Sequence, residues 1–326
     1  MQIELLKGGW VKQGSVIAFP YEWQRPAKTE EWVYETLIEK KVNSMFVEFI
    51  AFPWATLIDL IERGKFDRAK TFVSALNDLP PKKTLIRASA CQHISIDKIK
   101  DFLFKIKITD FFWAHKIESK NELGVIRLHP MALFPVAYFE SEIKNVKPNK
   151  ERKYLYNFVG AYDLKGYISP IRNEILNLPE SNRAYILKRK EWHFESTVYK
   201  SQINGLVLER SEIENSKLSM NQYREIMQDS VFTLCPSGAG PNSIRLWEAL
   251  AFESYPIILS DDLDLPLNVL KNGFQKTKEK CLNDVIAQME SSGLKRTGYF
   301  FAVEEFISNI SKDLFSKEFI LQGDFK

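Results

Sequence analysis

Between residues 231 and 266 the chain reads VFTLCPSGAGPNSIRLWEALAFESYPIILSDDLDLP, and two charges stand on an otherwise apolar helix. Ile244, Leu246, Trp247, Ala249, Leu250 and Ala251 mark that helix, which starts at Ser243, as buried between a sheet and other elements. Arg245 and Glu248 then need a reason. One reason is local: three residues apart on a helix, they can form an ion pair worth only ~0.2–0.5 kcal/mol. The other is chemical. A guanidinium offers a fork of donors that matches phosphate oxygens, and a carboxylate is an acceptor-only group suited to a diol. Ahead of the helix, Gly238 and Gly240 let the backbone bend tightly and approach a ligand, while Asn242 or Ser243 can cap the helix. A helix N-terminus behind a glycine turn is an anion site. On the chemical reading, Arg245 neutralises a diphosphate and Glu248 accepts hydrogen bonds from the ribose of the same nucleotide.

The elements that position this segment follow from hydrophobic periodicity. The 326 residues are 45% hydrophobic, enough for two α/β domains with separate cores or for one unusually large one, and the aromatic content of 13% argues against disorder. In the first half, strands are expected at 15–19, 44–50, 84–88 and 110–113, with amphipathic helices at 30–40, 54–63, 68–76 and 96–104. In the second half, strands are expected at 154–160, 184–187, 231–234 and 255–259, and helices at 171–177, 221–228, 243–252, 282–290 and 303–315. Strand-helix alternation implies largely parallel sheets covered on both faces. The polar, basic stretch EIKNVKPNKER at 142–152 reads as a linker, which puts an N-terminal domain at 1–148 and a C-terminal one at 149–326, the last helix packing back on the first domain. Two such α/β units form a cleft where strand ends face each other, the usual place for a ligand.

Several classes are disfavoured. The net charge is only +3 and the charges are interspersed, so no electrostatic footprint of a nucleic-acid binder is present. Cys91, Cys235 and Cys281 are far apart, which suggests neither a disulfide framework nor a zinc site and makes a reducing, cytoplasmic setting the default. His93, His115, His129 and His193 lack metal-ligand spacing. Asp262 and Asp264 match a DxD pattern, which is read here as a strand-end loop, and no metal site is assigned. No run approaches the ~20 apolar residues of a membrane span, so contact with a membrane is expected to be peripheral, at its inner face. Neither domain opens with the GxGxxG turn of a nicotinamide-dependent enzyme.

The run CPSGAGPNSIRLWEAL followed by YPIILSDDLDLP resembles the exostosin-like glycosyltransferases: a Pro, a Gly-rich turn, Ser-x-Arg, a Glu-Ala pair, then a strand and an acidic residue. Asn157 to Tyr162 (NFVGAY) with Arg172 after it is similar to the opening of that family's donor domain, and AFPW, CQHI and FWAHK resemble its bacterial members more loosely. Ser237 and the pair Ser254-Tyr255 depart from the pattern, where the family commonly has a basic residue and a Gly. The resemblance implies two Rossmann-like domains of the GT-B type and inverting, metal-independent transfer. A sugar would pass from a nucleotide-sugar donor, UDP-linked by expectation and with no other cofactor required, to a glycan or lipid-linked glycan in surface polysaccharide synthesis. It places the donor on Arg172, Gly238, Gly240, Asn242, Ser243, Arg245 and Glu248. Arg245 also offsets the departing diphosphate.

An inverting transfer needs a base beside the acceptor hydroxyl, and in this architecture that base comes from the N-terminal domain. Glu22 follows the first strand in the loop FPYEW, and His93 lies just past the strand ending near Ala88; these two are the candidates, ahead of Glu48 within a strand and Asp59 within a helix. Tyr21, Trp23, Trp54 and Trp113 cluster near strand ends, where they either pack in the core or stack on sugar rings. Lys188, Arg189 and Lys190 are either a solvated loop or a phosphate contact. The alternative function is a non-catalytic nucleotide- or glycan-binding scaffold subunit.

Overall fold

A computed structural model describes residues 2–141, 147–162, 165–266 and 276–291. The described residues divide into two α/β units, the first within Met1–Ala132 and the second within Leu133–Val303. The expected helix at 303–315 lies outside the described residues.

The first unit holds β1 (Glu4–Leu5), β2 (Val11–Gln13), β3 (Val16–Ala18), α1 (Thr29–Glu39), β4 (Val47–Ala51), α2 (Trp54–Glu62), α3 (Phe66–Asp78), β5 (Ile86–Cys91), α4 (Lys100–Lys105), β6 (Asp110–Trp113), β7 (Glu122–Leu123) and β8 (Ile126–Pro130). Its sheet runs β1-β2-β3-β4-β5-β6-β8-β7, parallel from β3 to β8 with antiparallel strands at both edges. Every residue of β4, β5 and β6 is buried, so these strands are covered on both faces and read as near-continuous apolar runs. Trp10, Phe19, Phe52 and Phe72 stack at centroid distances of 5.6–6.1 Å, and the Trp10 indole donates to the carbonyl of Ala75. Rings of that kind contribute about 0.5–1.5 kcal/mol per pair beyond area burial. The edge strands β1, β2 and β7 are two or three residues long, too short for a period to show in the sequence.

The second unit holds α5 (Val136–Phe139), β9 (Tyr154–Ala161), α6 (Ile171–Leu176), β10 (Ala184–Arg189), α7 (Arg210–Gln228), β11 (Ser230–Pro236), α8 (Ile244–Ala251), β12 (Tyr255–Leu259), β13 (Lys276–Thr277) and α9 (Leu282–Glu290). Its sheet is all parallel in the order β10-β9-β11-β12-β13. The chain moves outward from β9 to β10 and then returns to the other side of β9, so the strand order reverses between β9 and β11. That is a topological switch point, where open α/β sheets bind ligands. Helix α7 begins well before the expected residue 221: its first half is polar, a capping box between Glu209 and Glu212 starts it, and only its later turns bury Met220, Tyr223, Ile226 and Met227.

The division between units falls at Ala132, ahead of the linker read at 142–152. Helix α5 accounts for the difference, because the Tyr138 ring meets Phe252 edge-on at 5.3 Å and the Ala137 N–H donates to Glu248, both within the second unit. No helix among the described residues is long and apolar enough to cross a membrane.

Candidate functional site

At the switch point of the second unit, two buried arginines reach the C-terminal ends of β9 and β11. Arg172, from the first turn of α6, donates through Nε to the carbonyl of Ser237 (2.8 Å) and through Nη1 to that of Ala161 (3.2 Å). Arg245, from the first turn of α8, donates through Nη2 to the carbonyl of Val159 and lies 4.6 Å from the centre of the Phe158 ring. Its Nε and Nη1 are buried with no hydrogen-bond partner among the described residues. Arg189, at the end of β10, turns inward: Nη2 donates to the carbonyl of Ser219, Nη1 meets His193 Nδ1, and the guanidinium lies over Tyr223. None of the three forms an ion pair among the described residues. Burial, and then the charge of Arg245, pull Arg172 down to about 9, and burial lowers Arg189. Among the described residues, the one buried carboxylate whose charge reaches Arg245 and Arg189 is Glu248, so three buried guanidiniums face less than their own charge, which is costly unless an anion joins them.

The glycines serve this cluster differently from expectation. Neither Gly238 nor Gly240 has a positive φ. A Cβ on Gly238 would lie 2.8 Å from Arg172 Nη2, and one on Gly160 would lie 2.8 Å from Arg245 Nη2. Their missing side chains leave room for guanidiniums; no left-handed turn is involved. The capping expectation also changes. Ser243 is the residue before α8, but its side chain makes no capping bond, and the Asn242 side-chain oxygen accepts from the Trp247 indole at 3.0 Å.

Glu248 departs most from its expected role. It is 3% exposed, one carboxylate oxygen accepts from the Ala137 N–H (3.1 Å) and the other from the Tyr223 hydroxyl (2.7 Å). Burial raises its pKa against those bonds. Each oxygen thus takes one donor, and the buried carboxylate joins α5, α7 and α8. The intrahelical pair does not form, since Arg245 turns to Val159. Ser237, where the family has a base, donates through Oγ to Glu279, whose N–H in turn donates to Asp261. Of the DxD pair, Asp262 is exposed and Asp264 half-buried around the buried Leu263, as a strand-end loop requires.

Arg189 also lines a cavity of about 480 Å³ with Trp192, His193, Thr197, Glu212 and Ser216. Burial, then the charges of Arg189 and Arg224, push His193 down to about 4, so its ring is neutral near pH 7 and accepts from Arg189. Lys188 and Lys190 are exposed. Periodicity marks β10 and its basic end, but nothing local distinguishes the arginine that turns inward from the lysines that do not.

In the first unit, Glu22 sits in the loop after β3 with a left-handed backbone (φ 52). Its carbonyl accepts from Thr56 Oγ1, and its half-exposed carboxylate pairs with the half-exposed Arg68. A non-glycine residue held there is strained, and such strain tends to gather at functional positions. His93 lies in a separate relay. Thr29 N–H donates to Gln92, Gln92 to Gln24, and Gln24 to Asp59, whose other oxygen is 3.4 Å from His93 Nε2. The Ser95 N–H donates to His93 Nδ1 (3.0 Å), so the ring proton sits on Nε2. With Nδ1 covered and Nε2 protonated, His93 is a hydrogen-bond donor and a poor base. Asp59, Glu62 and His93 bring ligand atoms within 4.8 Å of one another, but a protonated Nε2 has no lone pair for a cation. Glu30, beneath the relay, is pushed up to about 8 by burial against donors from Gln92, Cys91 and Ala55. Glu48 pairs with buried Arg87, which removes it from candidacy as a base. Trp23, Trp54 and Trp113 are core residues; Trp54 donates to Ser89 and Trp113 to the His93 carbonyl, while Tyr21 is 49% exposed.

Comparison with known proteins adds to this geometry. Residues 98–273 match the Exostosin GT47 domain. A probable glucuronosyltransferase of Oryza sativa subsp. japonica is 54% identical over 44 residues, 14% of this chain and 11% of the relative. The Exostosin-1 homolog of Caenorhabditis elegans is 25% identical over 140 residues, 43% of this chain and 34% of the relative. A probable beta-1,4-xylosyltransferase of Arabidopsis thaliana is 50% identical over 44 residues, 14% of this chain and 11% of the relative. The matched stretches thus cover 11% to 34% of the length of these three relatives. The family match, in contrast, takes in more than half of the 326 residues and nearly all of the arginine-lined second sheet, and the chain belongs to the exostosin GT47 family.

Proposed function

We propose that the chain is an inverting glycosyltransferase that moves a sugar from a nucleoside diphosphate, UDP by first choice, to a hydroxyl of a glycan or lipid-linked glycan. The observation that carries this reading is Arg245: a buried guanidinium at a switch point whose Nε and Nη1 have no partner among the described residues. A diphosphate supplies the missing acceptors and adds negative charge where three guanidiniums have only Glu248 among the described residues to offset them, and Arg172 and Arg189 add to the field that holds it. During transfer that charge grows on the leaving diphosphate, so the same donors do more in the transition state than in the ground state. The cavity beside Arg189 offers the Trp192 indole as a face for the nucleobase. Names of relatives, glucuronosyltransferase and xylosyltransferase, support a sugar-transferring activity and a nucleotide-sugar donor.

Glu22 takes the acceptor proton. Its pairing with Arg68 is solvent-exposed and therefore weakly held, and a carboxylate keeps lone pairs free while so paired. His93 donates a hydrogen bond that orients the acceptor. No metal is required, because the arginines do the work a cation would do on the diphosphate. The three free cysteines suit a cytoplasmic setting, with a product destined for a surface polysaccharide.

The test is a thermal-shift screen of UDP, GDP, CMP and their sugars, followed by a transfer assay with and without a chelator. UDP and its sugars are expected to raise the melting temperature, and turnover to survive chelation. No shift with any nucleotide would refute the reading. Binding without turnover on a proven acceptor would assign the chain as a scaffold subunit instead.

A further inference from the structure

The N-terminal ends of the parallel strands in the first unit, away from the candidate residues at their C-terminal ends, carry a patterned surface. The loop entering β4 presents Lys41 and Met45, that entering β5 presents Lys83 and Leu85, that entering β6 presents Lys107, and the β7–β8 turn presents Val125. Met45 is 78% exposed, Leu85 39% and Val125 84%. These loops are neighbours in sheet order. Arg87 braces two of them, donating to the carbonyls of Pro80 and Ile106 while Glu48 neutralises it from β4.

Two backbone observations make the lysines more than a solvated rim. Lys41 (φ 50) and Lys107 (φ 61) both occupy the left-handed position that closes a helix, with Val42 N–H donating to Leu37 and Ile108 N–H to Leu103. That position favours glycine, because a Cβ is crowded there. Favourable interaction with the helix dipole explains basic residues at helix C-termini, but Lys40 and Lys105 already supply them from unstrained positions. Lysine thus stands twice where its Cβ strains the backbone. Among the described residues no ion pair engages Lys41, Lys83 or Lys107. Asp78 at this end is held by Lys7 and Asp110 by Arg127, and the exposed Glu39 and Glu122 are the acids set against the row.

We infer that this end of the first unit docks on an anionic lipid surface, its lysines meeting phosphate headgroups while Met45, Leu85 and Val125 insert between them. The pattern favours lipid over a protein partner. Met45, the 48%-exposed Phe46 and Leu85 stand together, the Phe46 carbonyl accepting from the Ile86 N–H, with Val125 apart and Lys41, Lys83 and Lys107 on the same loops. A headgroup layer meets such a mixture of cations and apolar tips at once, its phosphates pairing with the lysines. Long lysine stems suit this role, since they lie along apolar surface with the charge outermost.

Co-sedimentation of the full chain with vesicles tests the inference, and needs no nucleotide, so its outcome is independent of the sugar-transfer reading. Binding is expected on phosphatidylcholine vesicles that include phosphatidylglycerol, not on pure phosphatidylcholine, and should weaken steeply with added salt. The double variant Lys41→Gly and Lys107→Gly relieves the left-handed backbone, so its melting temperature should hold or rise while vesicle affinity drops about thirtyfold. Met45→Ser with Leu85→Ser should lose affinity on the same vesicles without changing the salt dependence. Equal binding to neutral and anionic vesicles, or undiminished binding by the glycine variant, overturns the inference. So does a dimer of the wild-type chain in analytical ultracentrifugation that Met45→Ser dissolves, which would make the surface a self-association face.

Discussion

Replacing Arg245 with methionine separates a ligand-binding arginine from a structural one, because the two roles call for opposite stability changes. Two buried donors on a charged group, without partners among the described residues, cost about 1–3 kcal/mol each. Against that, the bond from Nη2 to Val159 returns about 1.5–3 kcal/mol. The Phe158 face adds about 0.5–2 kcal/mol. The terms nearly cancel, and methionine fills a similar unbranched volume. Ligand-free Arg245→Met should therefore unfold within about 1 kcal/mol of wild type in urea. With UDP the two proteins should part. At one hundred times its Kd, UDP stabilises wild type by about 2.7 kcal/mol. If the lost contacts weaken binding about a hundredfold, the same concentration stabilises the variant by only about 0.4 kcal/mol. Turnover should fall by about 10²–10³, the usual consequence of removing one donor aimed at developing charge. A ligand-free loss above about 2 kcal/mol would show that Arg245 holds the fold, and an unchanged UDP increment would show that it does not hold the nucleotide.

Glu30→Gln should change the pH dependence of stability. With Glu30 raised from 4.5 to about 8, the native state keeps a proton that the unfolded chain releases, so stability falls as pH rises through that window, by about 1.4 kcal/mol per unit at the steepest. His115, lowered from 6.5 to about 3 chiefly by burial, acts in the opposite sense, its contribution being lost as pH falls through that interval. The first unit should thus be most stable on a plateau between about 4.5 and 6.5, where the two slopes cancel. In urea titrations at stepped pH the glutamine variant should lose the alkaline decline, and a decline that persists would refute the assignment to Glu30. Gly160→Ala places a Cβ 2.8 Å from Arg245 Nη2, and calorimetry should show UDP binding about tenfold weaker with a stability cost of about 1 kcal/mol. Glu22→Gln should lower kcat by about 10²–10⁴ with little change in donor KM, whereas His93→Gln, which can still donate, should retain most activity. The reverse ranking in steady-state kinetics would move the base to His93.

The strand positions were legible because buried parallel strands leave apolar runs: the expected span at 110–113 and the observed β6 coincide, as do 255–259 and β12. Helix α7 was only half legible, since its first turns face solvent and carry no apolar stripe. The resemblance at 235–266 identified the family, because it depends on the order and spacing of residue types, which the chain carries without folding. The division of the units at Ala132 differs from the linker read at 142–152 because composition marks where a chain is polar, whereas packing of Tyr138 on Phe252 and Ala137 on Glu248 decides which core α5 joins.

From the sequence it could be read that Arg172 and Arg245 each lie near the start of a helix that follows a strand of the second α/β unit. Only the tertiary structure decided how each polar side chain is used. Glu248 and Arg245 are three positions apart and equally polar in the sequence, yet Tyr223 and Ala137 each donate to an oxygen of the one, while the other keeps two donors without partners among the described residues. The same holds for His93, whose availability as a base turns on the amide of Ser95. Residue type states how many hydrogen bonds a group can make, but the partners that use them come from elsewhere in the chain, and whatever capacity they leave is what a ligand can use.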